Sequence, residues 1–198
     1  MSEARERNGP KPIKIIVAAG RNRGIGIKGN LPWNLPNEFK YFLDKITSVS
    51  NPGKKNFIMV GRTSFEGFPD CLLPLPNAIV AILSKTLRST PKHAAYVCQD
   101  VQEVLDLASS TPLSKDIETI WALGGVQSYM EVMHHPWCNQ IFFTNVMADF
   151  ECDTFFPAID TGVFNLVEQF PGVPLGLQEE NGIKYEFQVY ERKGSISM

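Results

Sequence analysis

Glu38 is the acid best placed to do chemistry. It stands one position before the first apolar residue of a helical stripe made by Phe39, Phe42, Leu43 and Ile46. At about 100° per residue it falls about 40° from Phe42 around the helix axis, on the edge of the buried face. A carboxylate there can look into a pocket and serve as a general acid. The plainer reading is a glutamate in the first helical turn stabilised by the helix dipole, and helical position alone leaves both open. The neighbours favour the first: Leu31, Trp33, Phe39 and Phe42 would make a flat apolar slot with one acid inside.

A second candidate is the run Gly24-Ile25-Gly26-Ile27-Lys28-Gly29, which has the spacing of a dinucleotide-binding fingerprint and follows an apolar strand-like segment. Such a fingerprint must open a helix whose N–H groups hold a pyrophosphate. Here Asn30-Leu31-Pro32-Trp33-Asn34-Leu35-Pro36 follows, and its two prolines forbid that helix. The expectation is instead a long, flexible glycine-rich loop over a sheet, able to close on a ligand and exclude water.

Two further strand-like runs end alike, Val60 in Gly61-Arg62-Thr63-Ser64 and Leu83 in Ser84-Lys85-Thr86, each with hydroxyls beside a cation. A third, Trp121-Ala122-Leu123, passes through Gly124-Gly125 into a helical stripe, which lets a ligand or another backbone come close. Each is ordinary turn chemistry by itself. Three in one chain fit anion binding beyond the carboxyl ends of strands, where open α/β sheets hold ligands.

These groups need a frame. Apolar or alternating runs at Ile13–Ala19, Asn56–Val60, Ala78–Leu83, Ala95–Cys98, Thr119–Leu123 and Gln140–Val146 predict strands, several buried on both faces. Helical stripes alternate with them: Phe39 to Ile46; Val101, Val104, Leu105, Ala108; and Val126, Tyr129, Met130, Met133. Pro36 and Asn37 mark the start of the first, and Asp100 with Glu103 forms a capping-box pattern at the second. Asn165–Phe170 and the alternating Ile183, Tyr185, Phe187, Val189 predict an antiparallel C-terminal hairpin, with Asn181-Gly182 as the turn before the last strand. The fold class expected is α/β, a single domain with a mixed, mostly parallel twisted sheet flanked by helices. Residues 13–191 would form it, with 1–12 and 192–198 as flexible tails.

The 198 residues, 43% hydrophobic and 20% charged, suit one domain with a substantial core and leave no room for a second catalytic unit. A net charge of -2 lacks the basic excess that nucleic acid or an anionic membrane demands, so local cations must meet any anionic ligand. Neither a signal peptide nor a membrane-spanning stretch is legible, and the expected location is cytoplasmic. Cys71, Cys98, Cys138 and Cys152 are scattered without metal or disulfide spacing and read as reduced thiols. His134-His135 closes a helical stripe, where side chains can serve the last carbonyls, and no metal is expected there. A monomer is expected, since no obligate interface is visible.

Taken in order, the motifs resemble dihydrofolate reductase, specifically the single-domain animal type, from about Ile13 to Glu191. The segments that carry the likeness are Ile16-Val17-Ala18-Ala19, Gly24-Ile25-Gly26, Leu31-Pro32-Trp33, Asn37-Glu38-Phe39-Lys40-Tyr41-Phe42, Gly61-Arg62-Thr63-Ser64 and Leu83-Ser84-Lys85. Gly124-Gly125 with Tyr129, Asp153-Thr154-Phe155-Phe156-Pro157 and the closing Gln178-Glu179-Glu180-Asn181-Gly182-Ile183-Lys184-Tyr185 complete it.

The resemblance implies hydride transfer from NADPH to the pterin of 7,8-dihydrofolate, and binding of antifolate small molecules. It makes Glu38 the acid that binds the 2-amino group and N3 of the pterin, supported by Thr144, and Trp33 the indole that orders a water at the reactive edge. Ile16, Val17, Leu31, Phe39, Phe42, Ser64, Phe68, Leu75, Leu123 and Tyr129 would line the substrate pocket. Ala18 and Ile25 would meet the nicotinamide carboxamide, with Leu123 and Tyr129 on the nicotinamide side. Gly29, Gly61, Arg62, Thr63, Ser64, Leu83, Ser84, Lys85, Gly124, Gly125, Val126 and Gln127 would hold the rest of the cofactor. Dihydrofolate accepts hydride at C6 only as N5 gains a proton, and Glu38 is the sole acid in the slot, acting through an ordered water or a tautomer.

Three positions depart from the family pattern. Ala78 stands where an arginine would grip the α-carboxylate of the folate glutamate, and no arginine occurs between Arg62 and Arg88. Lys40 on the adjacent helix is a conceivable substitute. Gln99 replaces a cation often used for the 2'-phosphate, and Asn30 replaces an aspartate before Leu31-Pro32-Trp33. Rival readings are a reductase of the same fold acting on a pyrimidine intermediate and a silent nucleotide- or RNA-binding relative. The complete Leu-Pro-Trp and Asn-Glu-Phe set disfavours the former, and Glu38 with the acidic balance disfavours the latter.

Overall fold

Ile13–Ala19 is apolar in both phases of a two-residue repeat, so both faces of the strand need cover, and it lies inside a nine-stranded sheet. The computed structural model describes residues 11–195. In chain order the elements are β1 (Ile13–Ala19), β2 (Gly24–Gly26), α1 (Pro36–Thr47), β3 (Lys55–Gly61), α2 (Arg62–Glu66), β4 (Ala78–Leu83), β5 (Tyr96–Cys98), α3 (Val101–Ser109) and α4 (Leu113–Asp116). They continue with β6 (Ile117–Ala122), α5 (Val126–His134), β7 (Cys138–Val146), β8 (Thr154–Phe155), β9 (Phe164–Val167), β10 (Leu177–Glu180) and β11 (Ile183–Arg192).

The main sheet runs β10-β11-β7-β1-β6-β3-β4-β5, with β9 also on β11. Every pair from β7 to β5 is parallel, whereas β11 meets β7, β9 and β10 antiparallel. The mixed, mostly parallel α/β sheet and its antiparallel C-terminal end are therefore as expected. Two apolar layers cover it. Ile13, Ile15, Val17, Phe57 and Met59 pack on one side with Val104 and Leu105 of α3 and Tyr129, Val132 and Met133 of α5. Ile16, Ile58, Val60, Val80, Ile82 and Leu123 pack on the other with Ile46 of α1, Phe65 of α2 and Leu75.

Local signals set the helix ends. Pro36 opens α1, where its missing N–H is no loss. Asp100 accepts from the Glu103 N–H at 2.8 Å, and the Glu103 carboxylate reaches back to the Gln99 N–H at 2.6 Å, one residue beyond the cap N–H that an ideal capping box engages. The His134 ring lies 2.7 Å from the Met130 carbonyl at the end of α5. The α5 stripe is turned from the expected one: Met130 is 43% exposed and Val132 is fully buried. The Ser128, Tyr129, Val132, Met133 face is the one α5 presents to the core.

Several boundaries move. β9 ends at Val167, and Phe170 packs its ring edge-on against Phe142 at 5.5 Å instead of extending the strand. The turn at Asn181-Gly182 joins β10 to β11, a short strand with too little apolar alternation to be legible. Most of the expected N-terminal tail, 1–10, and residues 196–198 lie outside the described residues, but its last two positions are tied down: Lys11 donates to the Ile117 carbonyl and Pro12 accepts from the Ile120 N–H. Arg192, expected in the C-terminal tail, is the last residue of β11, and its guanidinium donates to the carbonyls of Cys138, Met133 and His135.

Candidate active site

Glu38 lies in the first turn of α1 and is 6% exposed. Thr144 of β7, equally buried, donates its hydroxyl to Glu38 Oε1 at 2.9 Å. Burial pushes the Glu38 carboxyl up to about 7; the Thr144 hydrogen bond opposes this and the nearby Glu180 charge adds to it. A carboxyl that changes protonation near neutrality, in a water-poor setting, is suited to giving and taking protons.

An aromatic row leads away from this acid. Phe39 stacks on Phe42 at 5.7 Å, Phe42 meets Phe68 at 6.1 Å, and Phe68 meets Phe65 at 6.5 Å. Phe42 and Phe68 pack on the layer that holds Ile16, Leu75 and Leu123. Both are only half-buried. The other two residues of the expected slot differ in their surroundings. Leu31 is 51% exposed, and Trp33 packs in a cluster with Leu35, Val146 and Tyr185, its ring centroid 5.3 Å from that of Phe150 in an edge-to-face arrangement. Ala18 packs on that cluster, and Trp33 Nε1 is buried without an acceptor among the described residues. Val17 faces the opposite layer, beside Tyr129, whose hydroxyl donates to the Ile16 carbonyl at 3.1 Å.

The glycine and hydroxyl-cation motifs converge because β6, β3 and β4 are adjacent and parallel. Their carboxyl ends place Gly124-Gly125, Gly61-Arg62-Thr63-Ser64 and Leu83-Ser84-Lys85 side by side. The Gly61 N–H donates to the Gly124 carbonyl at 2.8 Å, and a Cβ on Gly61 would lie 3.1 Å from the Gly125 nitrogen, so backbone meets backbone here. Gly124 has φ +119, a conformation only glycine holds without strain, and a Cβ there would come within 3.4 Å of Ser64 Oγ. A Cβ on Gly125 would meet nothing within 4 Å, and Gly125 opens α5, with Val126 and Gln127 next, without a side-chain cap. An anion can approach that helix end and its first N–H groups. Arg62 is exposed and 3.6 Å from Glu66; Lys85 is exposed; the Ser84 hydroxyl accepts from the Thr86 and Leu87 N–H groups.

The glycine-rich segment is less free than expected. Gly24 and Gly26 pair with Phe155 and Thr154, making a two-stranded ribbon of β2 and β8, and Ile25 packs on the core. Asp153 accepts from the Lys28 N–H at 2.8 Å and holds its own carboxyl below the usual range through that bond. A Cβ on Gly29 would lie 3.4 Å from Thr63 Cγ2, so the segment's tip leans on the start of α2. Asp153 and Glu180 were not singled out by residue type, because their partners lie 125 and 142 residues away in the chain.

Lys40 pairs with Asp44 at 2.6 Å and lines a groove of about 520 Å³ with Tyr41, Lys45, Gly172, Tyr185 and Phe187, not the aromatic row. Gln99 and Asn30 stand at the surface, the latter closing a turn with Ile27. The four cysteines are unpaired, and among the described residues no group of three His, Cys, Asp or Glu converges as a metal site would. No helix among the described residues is long and apolar enough to cross a membrane.

A buried acid, an aromatic row beside it and glycine-lined ends of adjacent parallel strands define the candidate site of an α/β enzyme. The dihydrofolate reductase family model matches residues 12–192. The mouse dihydrofolate reductase is 40% identical over 184 residues, covering 92% of this chain and 98% of its own, and that of Aedes albopictus is 41% identical over 187 residues with the same coverage. The structure of the Schistosoma mansoni dihydrofolate reductase superposes with a TM-score of 0.81 at 28% identity, over 92% of this chain and 99% of that one. The chain belongs to the dihydrofolate reductase family and is an oxidoreductase.

Proposed function

We propose that the cleft reduces 7,8-dihydrofolate to 5,6,7,8-tetrahydrofolate with NADPH, supporting one-carbon and thymidylate metabolism as a cytoplasmic monomer. The observation that carries this reading is Glu38, buried against Thr144 beside the Phe39–Phe42 wall. Glu38 binds the 2-amino group and N3 of the pterin and makes a proton available for N5, through an ordered water or by favouring the reactive tautomer. The unpaired indole N–H of Trp33 suits it to hold such a water. Phe39, Phe42, Phe68, Leu75, Leu123 and Ile16 hold the flat substrate and keep bulk water out, and antifolates of similar shape bind the same walls.

The residues at the three strand ends fit NADPH. The open helix start at Gly125, Val126 and Gln127, with Gly61, Thr63 and Ser64 beside it, suits a pyrophosphate, and Arg62, Ser84 and Lys85 suit a 2'-phosphate. When bound, NADPH supplies the hydride that reaches pterin C6 from nicotinamide C4. Ala18 and Ile25 offer backbone groups to its carboxamide, while Tyr129, tied to Ile16, supports that wall from beneath. Gly29 and the ribbon behind it close over the site.

The test is steady-state oxidation of NADPH with and without dihydrofolate. Substrate-dependent oxidation is expected. Cofactor binding without turnover would overturn the reading.

A further inference from the structure

We propose that Glu180, brought from the β10–β11 turn, is a positioning residue for the reaction: it completes the N-terminus of α1 and sets both the placement of Glu38 and the charge that Glu38 faces. The inference rests on Glu38 being the working acid. Helix α1 cannot cap itself. Leu35 at the cap position has no side-chain acceptor, and Pro36 has no N–H, so the first unmet donors are the N–H groups of Asn37 and Glu38. The Glu180 carboxylate takes both: Asn37 N lies 3.0 Å from each of its oxygens, and Glu38 N lies 3.1 Å from Oε1. The Tyr185 hydroxyl donates to the same Oε1 at 3.0 Å and orients it. The amide of Asn181, next along the turn, donates to the Asn34 carbonyl at 2.8 Å and holds the approach to the helix.

Glu38 is therefore held at two ends, its backbone by Glu180 and its carboxylate by Thr144. A carboxylate at a helix N-terminus is favourable to the helix. The same negative charge opposes ionisation of Glu38 and adds to the upward push of burial. Every element packed on Glu38 leaves that effect uncancelled. Thr144 of β7 is uncharged, and burial raises the Tyr41 and Tyr185 hydroxyls so that both stay neutral. Lys40 of α1 is engaged with Asp44, and among the described residues no cation forms an ion pair with Glu38 or Glu180.

Chemistry offers a clean separation of charge from position. All three donors reach Oε1, so Glu180→Gln keeps an acceptor for each while removing the charge. Glu180→Asp keeps the charge on a shorter arm, and Glu180→Ala removes both. The readouts are the titration of the Glu38 carboxyl by carbon NMR in the free enzyme, assigned by its loss in Glu38→Gln, and the pH profile of single-turnover hydride transfer.

For Glu180→Gln the Glu38 midpoint should fall by about half a pH unit or more, and the decline in rate with rising pH should move down with it. Glu180→Asp should restore the wild-type midpoint, and Glu180→Ala should lower the rate across the whole pH range. An unchanged midpoint and pH profile in folded Glu180→Gln overturns the proposal, whatever Glu180→Ala does to folding. If Glu38→Gln alone keeps full turnover, the assignment of the acid fails instead, and the NMR midpoint still decides the coupling.

Discussion

Thr144 Oγ1 lies 2.9 Å from Glu38 Oε1, joining the middle of a sheet strand to the first turn of a helix 106 residues away. The bond restrains an otherwise mobile carboxylate at the cleft and favours its ionised form, against the larger effect of burial. The balance leaves an acid that changes state near pH 7.

Glu38→Gln, which keeps the shape and removes proton handling, should lower dihydrofolate turnover by about 100-fold or more near neutral pH. NADPH binding should barely change, as read by fluorescence titration. Retention of more than about half of wild-type turnover, with chemistry limiting, would remove Glu38 as the acid.

The same residue makes stability depend on pH. The carboxyl has an ordinary value of 4.5 and is raised to about 7 in the fold, so its favourable contribution is complete below 4.5 and is lost as pH rises through 7. Glu38→Gln resembles the protonated form. In urea titrations of the free protein it should match wild type near pH 4 and exceed it by up to about 3 kcal/mol at pH 8. Equal stability at pH 8 would show that the site does not resist ionisation.

NADPH should be preferred over NADH, because Arg62 and Lys85 can each donate charge-assisted bonds to a 2'-phosphate, at about 1.5 to 3 kcal/mol apiece when well formed. Both are exposed and Arg62 is shared with Glu66, so the lower end applies and salt should weaken the preference. Equal affinity for the two cofactors at low ionic strength, or unchanged NADPH affinity in the Arg62→Ala, Lys85→Ala double variant, would take this site out of the reading.

Ala78 opens β4 at the edge of the layer that holds Leu75, Phe42 and Phe68, with a methyl group where the family resemblance implies a guanidinium. Lys40, committed to Asp44 beside a different groove, is not placed to replace it. Removing the glutamate from a folate ligand should therefore cost this protein less than about 2 kcal/mol, and Ala78→Arg should increase that cost by about 1.5 to 3 kcal/mol. Paired dissociation constants measure it. A larger loss in wild type, or no change in folded Ala78→Arg, would show that the tail is held by another group.

Periodicity and turn chemistry act within a few residues, and whatever rests on them was legible. The bounds of β1 and β4, the Pro36 start of α1 and the Asp100 cap of α3 follow from local sterics, caps and a two- or 3.6-residue repeat. So does the placement of an acid in the first turn of α1 and of hydroxyls and cations at strand ends. Which of these meet was decided by tertiary structure. The order β6-β3-β4 brings three separate turns side by side, and it arises from non-local pairing that no period encodes. The same pairing set Trp33 in a cluster with Val146 and Tyr185 and left Leu31 51% exposed, which residue type alone does not decide. It also brought Glu180 across 142 residues to the donors that Leu35 and Pro36 cannot serve, because an unmet backbone N–H can donate to any carboxylate that the fold delivers, near in sequence or far.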